Sequence, residues 1–156
     1  MPTILIPKPG GVPSPVDDPP VTPSASFIKL GDGEVYFHNG SAWVGLNGAR
    51  TICDIEPDVV EGSAVVVTNG NARLASSAQD KACSGIVTHI TPGGLGVVTA
   101  AGRIARTSTN GSKYFLGLDG ALTATPNPDT QHIVLIGTGE GDTLLLTLGV
   151  SSEAPI

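Results

Sequence analysis

Apolar residues along this chain come in short runs, and each run is closed by Gly, Pro, Asn or Asp. Residues 64–68 (AVVVT) end on Asn69-Gly70, and 84–91 (SGIVTHIT) end on Pro92-Gly93-Gly94. The run at 95–99 is followed by 102–107, where Ile104 is the main apolar residue, and Asn110-Gly111 leads on to 113–117 (KYFLG). Leu118-Asp119-Gly120 then turns the chain into 121–125. Pro126-Asn127-Pro128-Asp129 forbids a helix, and 131–138 and 143–148 flank Gly139-Glu140-Gly141-Asp142. Runs of Val, Ile, Thr and aromatics bounded by turn residues every eight to twelve positions predict strands and hairpins. About ten strands are expected and no helix. Within 84–91, Ile86 and Ile90 are expected on the face of Thr88, with His89 on the other.

The first part of the chain differs. Residues 1–26 hold eight prolines, which fix φ and remove a donor, so an extended, polyproline-like arm is expected there. Ile4, Leu5 and Ile6 form an apolar plug near its start, suited to docking on a neighbouring subunit; the alternative is a plain disordered tail. Residues 27–48 read as a small hairpin. EVYFH (34–38) and AWVGL (42–46) flank Asn39-Gly40, the dipeptide that best accepts a type I′ turn. Tyr36 and Trp43 are then expected close to cross-strand neighbours, either as packing or as a sugar-binding platform. The expected organisation is an arm at 1–26, a hairpin at 27–48, a main β domain at 49–150 and a tail at 151–156. The fold class is all-β: a Gly-rich antiparallel sandwich or barrel preceded by the arm and the hairpin.

Composition sharpens this. With 156 residues, 21 Gly, 13 Pro and 4% aromatics, the core must be built from Val, Leu, Ile and Ala. Charged residues make up 14%, which leaves apolar surface for other subunits to cover. A net charge of −6 and eight scattered Lys and Arg argue against nucleic acid and against an anionic membrane. No run approaches the ~18 apolar residues of a membrane span, and no charged-then-apolar signal opens the chain, so synthesis and folding in a cytoplasm are expected.

Candidate chemistry is thin. Asp54, Glu56, Asp58 and Glu61 have the alternate spacing of a calcium loop, but Val59 replaces the required Gly, Pro57 interrupts, and no acid closes the loop. A solvated strand edge fits better. Gly137-Thr138-Gly139-Glu140-Gly141 resembles a phosphate loop, yet a strand rather than a helix follows it. His38, His89 and His132 show no metal spacing. Cys83 and His89 would stand about 20 Å apart on an extended strand. Cys53 and Cys83 are expected as two buried thiols rather than a disulfide, and Asn39 and Asn110 mark turns rather than glycosylation sites. No catalytic group, cofactor or metal is expected.

The pattern YFLG, DGALTATP, HIVLIGTG and DTLLLTLG, within residues 59–149, resembles the C-terminal half of small virion proteins of tailed bacteriophages. The VYFHNGSAWV hairpin is similar to aromatic hairpins of phage fibre and baseplate proteins. The resemblance implies a non-enzymatic protein that decorates or cements the capsid, or forms a head fibre. It would be made in the host cytoplasm and located in the virion. The resemblance alone implies a homotrimer, with the major capsid protein or other virion subunits as partners. The rival within the class is a tail-fibre, collar or baseplate component. The rival outside it is a carbohydrate-binding module using Tyr36 and Trp43.

Overall fold

A ring of five strands closes on itself through one six-residue strand, and the other described strands extend its sheet or pack as a second one. The computed structural model describes residues 3–5 and 26–29 as backbone, and 35–38, 41–46, 49–126 and 132–149 in full. Fourteen strands and no helix occur among them. The N-terminal ones are β1 (Thr3–Leu5), β2 (Ser26–Lys29), β3 (Val35–His38) and β4 (Trp43–Gly45). The ring is made by β5 (Arg50–Ile55), β6 (Ala64–Thr68), β7 (Asn71–Leu74), β8 (Gly85–Ile90) and β9 (Gly96–Thr99). A second sheet contains β10 (Ala101–Ala105), β11 (Lys113–Leu116), β12 (Leu122–Thr123), β13 (Leu135–Gly139) and β14 (Thr143–Thr147). The all-β reading holds, in the form of a closed barrel plus a second sheet.

β5 closes the ring because its two edges are used differently. One edge pairs with β9, from Arg50 opposite Thr99 to Cys53 opposite Gly96. The other edge is divided. Thr51 and Ile52 pair with β4, while Asp54 and Ile55 pair with β7 in parallel. β7, β6, β8 and β9 then follow one another in antiparallel pairs, so the ring has no open edge of its own.

Both faces of the ring are covered, which explains the uninterrupted run of Val in β6. Val65 and Val67 point inward, to Cys53, Ala72, Val87 and Val98. Ala64 and Val66 point outward, beneath the second sheet, where Ile86, Leu116, Val134, Ile136 and Leu144 form the largest core. A strand buried on both sides has no polar face to alternate with. Each of the fully buried Ile and Leu side chains there contributes about 1.5–3 kcal/mol by leaving water.

Turn chemistry explains the tight hairpins. Asn69 (φ 50°) and Gly70 (φ 76°) join β6 to β7 in the left-handed conformation that a type I′ turn needs. The second sheet runs β10-β14-β13-β11-β12, and a single residue, Ala100, connects β9 to β10 along the chain. The Ala100 N–H donates to the Ala49 carbonyl at 2.7 Å, which ties that crossing to the entry of β5.

β8 departs from simple alternation. Its register with β9 shifts between Val87 and His89, so Thr88 is the extra residue of a bulge. Ile90 therefore joins Val87 on the inner side, while Ile86 faces the second sheet. The expectation that Ile86 and Ile90 share a face fails for this reason.

Candidate functional site

The first proposed site is the N-terminal triplet. Ile4 and Leu5 lie in β1, which pairs in parallel with β2, Ile4 opposite Phe27 and Leu5 opposite Ile28. β1 is the terminal strand of the nine-stranded sheet that includes the ring. Ile6 and the proline-rich residues 7–25 lie outside the described residues, as does the Asn39-Gly40 turn.

The aromatic platform is corrected by the structure. Tyr36 has no exposed surface and Trp43 only 5%, so neither offers a ring face to a ligand. Both pack with Ile52 and Val97 on the flank of the ring. Across β3 and β4 it is His38, not Tyr36, that stands opposite Trp43, with the rings edge to face at 5.0 Å. Tyr36 stands opposite Gly45. The hairpin is thus hydrogen-bonded and packed onto β5, and the expected boundary between 48 and 49 runs through a continuous sheet.

The four acids do not converge. Glu56 accepts a hydrogen bond from Asn71 Nδ2 at 2.8 Å, and Glu61 lies 3.3 Å from His89 Nδ1 and accepts from the Ile90 N–H. Among the described residues, no three His, Cys, Asp or Glu side chains gather as a metal set. Cys53 and Cys83 are free, buried and in different cores, and burial pushes each thiol up to about 11.

The fold brings together one grouping that no sequence spacing announced. The His132 N–H donates to the Ser77 carbonyl at 2.7 Å, and neither Ser77 Oγ nor His132 Nδ1, both buried, has a hydrogen-bond partner. Asp80 lies within electrostatic reach of His132, but its carboxylate is occupied. Arg73 donates to it at 2.8 and 3.0 Å, and the Ser76 N–H at 2.9 Å. The Arg73 guanidinium, first, holds the Asp80 carboxyl below the usual aspartate range. A nucleophile-base pair needs an orienting acid and access to substrate. Here Asp80 is spent on Arg73 and Ser77 is fully enclosed. This grouping knits the 76–80 turn to the segment before β13.

A second grouping is open to solvent. Between the outer face of β8 and β9 and the edge strand β10 lies a cleft of about 430 Å³. Arg50 enters it from the start of β5, Thr99 from the end of β9, and Thr88 from the bulge. The two threonine hydroxyls are 2.9 Å apart, and Thr88 Oγ1 also donates to the Val97 carbonyl at 3.2 Å. Arg103 and Arg106 line the opposite wall, with Glu61 at the rim. Arg103 is held in a two-pronged ion pair by Glu140, at 2.8 and 3.3 Å. Arg106 donates to the Gly62 carbonyl at 3.3 Å. No motif in the chain signals this cleft, because its residues come from four separated strands and a turn.

Comparison with family models, with curated proteins and with solved structures returns no match.

Proposed function

We propose that the chain is a non-enzymatic structural subunit of a tailed-phage virion, decorating or cementing the capsid as a homotrimer and held to its neighbours partly by its N-terminal residues. The observation that carries this reading is the position of β1. A three-residue strand carrying Ile4 and Leu5 sits at the end of a sheet, parallel to β2, and is joined to it by residues 6–25 with seven prolines. An end strand on a long connection is the element that is most easily exchanged with, or added to, the sheet edge of another subunit. The phage assignment itself rests on the strand-and-turn resemblance. The carbohydrate-module reading needs exposed aromatic faces, and the burial of Tyr36 and Trp43 removes its platform.

The test has two parts. Quantitative mass spectrometry of purified particles should count hundreds of copies; a handful would move the protein to the tail. A chain lacking residues 1–25 should keep a cooperative melt but be missing from particles. Normal incorporation of that truncated chain would overturn the anchoring role.

A further inference from the structure

We propose that the cleft between the β8–β9 face and β10 binds an oxyanion: the carboxylate, phosphate or sulfate group of a small ligand. The first argument is charge. Three of the chain's eight Lys and Arg residues line this one cleft, in a protein of net charge −6. Gathering guanidinium groups is unfavourable unless an anion compensates them. Glu140 supplies that compensation for Arg103. Arg106 makes no ion pair with a carboxylate among the described residues; its hydrogen bond goes to the neutral Gly62 carbonyl. That bond uses one of five guanidinium donors.

The second argument is the remaining lining. Glu61, the one acid there, stands at the rim with its side chain 57% exposed, where it accepts from the Ile90 N–H and lies 3.3 Å from His89 Nδ1, so solvent screens its charge from the arginines. Thr88 donates to the Val97 carbonyl and accepts from Thr99, so these two floor hydroxyls offer acceptor oxygens to the hydroxyls of a ligand and leave the anion to the arginines. The volume, about 430 Å³, exceeds a bare oxyanion and falls in the range of small-ligand sites. The ligand therefore has an uncharged, hydroxylated body beside its anionic group. The planar fork of Arg106 suits two oxygens of that group at once.

The inference stands whether or not the protein belongs to a virion, and its test uses the full isolated chain. The arginine Nε–Hε signals of the ¹⁵N-labelled protein are followed by NMR during titration with sodium phosphate or sodium glucuronate, at constant ionic strength set with chloride. Saturable shifts at Arg103 and Arg106 are expected, with a dissociation constant on the order of 1 mM. Arg106→Gln should weaken binding at least tenfold, and Lys113→Gln should not change it. Arg103 is 64% exposed, so Arg103→Gln supplies a second variant that spares the fold. Tighter binding of glucuronate assigns the site to a carboxylate with a body, and tighter binding of phosphate assigns it to a phosphoryl group; either sustains the site. Shifts that grow linearly without saturating, or equal weakening by Lys113→Gln, would overturn it.

Discussion

Trp43 stands directly opposite Ile52 across β4 and β5, and Ile52 in turn stands opposite Val97 across β5 and β9. All three are buried, so one row of side chains crosses from the hairpin into the ring. Because Trp43 is the single tryptophan, it belongs to the shared core and reports on it. Replacing Trp43 by Ala should cost about 3–5 kcal/mol, the usual penalty for emptying a large aromatic site. Urea denaturation followed by circular dichroism checks this, and a loss below about 1 kcal/mol would show a hairpin independent of the ring.

Acid should loosen the 76–80 turn. The Asp80 carboxyl is held low mainly by its hydrogen bonds from Arg73, so the folded state binds its proton less readily than the unfolded chain does. The resulting stabilisation is complete above the ordinary aspartate range, near 3.9, and is lost as pH falls through that range to the lower folded value. Arg73 is 42% exposed, so solvent screens the pair, and about 1–2 kcal/mol is the expected cost of Asp80→Asn at pH 7. The substitution should also flatten the stability profile below pH 5, and an unaltered acid limb would refute the assignment.

The two thiols should be silent in the native protein. Burial raises both from 9.0 to about 11, and Cys83 is further enclosed by contacts to the Val65 and Gly85 carbonyls. A thiol-specific chromogenic reagent at pH 8 should react with both only after denaturant is added. Because the folded state holds these protons more tightly, stability should decline as pH rises from about 9 to about 11. Fast release of either thiol under native conditions would contradict the burial.

Two turn glycines should respond differently to the same change. Gly94 and Gly120 both have positive φ, at 87° and 81°. A Cβ on Gly94 would meet nothing within 4 Å, whereas one on Gly120 would lie 2.7 Å from Leu74 Cδ2 and 3.3 Å from the Ala64 carbonyl oxygen. Gly94→Ala therefore carries backbone strain alone, about 1 kcal/mol. Gly120→Ala adds overpacking and should cost about 1–3 kcal/mol more. Equal denaturation midpoints would show that the 118–120 turn yields freely.

How much of this was legible depended on where the signal was local. Asn69-Gly70 and Asp119-Gly120 announced their turns because positive φ is a property of those residues themselves. The run AVVVT announced β6 with its true ends. β5 was concealed, since Asp54, Glu56, Asp58 and Glu61 made 49–61 look like a charged edge, while Cys53 and Ile52 face two different cores. The bulge at Thr88 left no mark either, because inserting one residue changes the pairing and not the composition. Closure of the ring, the burial of Tyr36 and the clustering of Arg50, Arg103 and Arg106 all arise from contacts between distant segments. Periodicity within a window does not report these.

The divided edge of β5 also sets an order on the ribosome. Its partner β9 ends at Thr99, so a nascent chain that stops before Gly96 carries β5 with one side open. The hairpin β3–β4 lodges on the row through Ile52 and Val97, and so has no complete seat until β9 has emerged. Pairing between segments this far apart is slow to form, because the intervening loop must be closed first. Early strands of this protein therefore wait for later ones, and a stall in translation just short of residue 96 would hold an unfinished ring exposed to other chains.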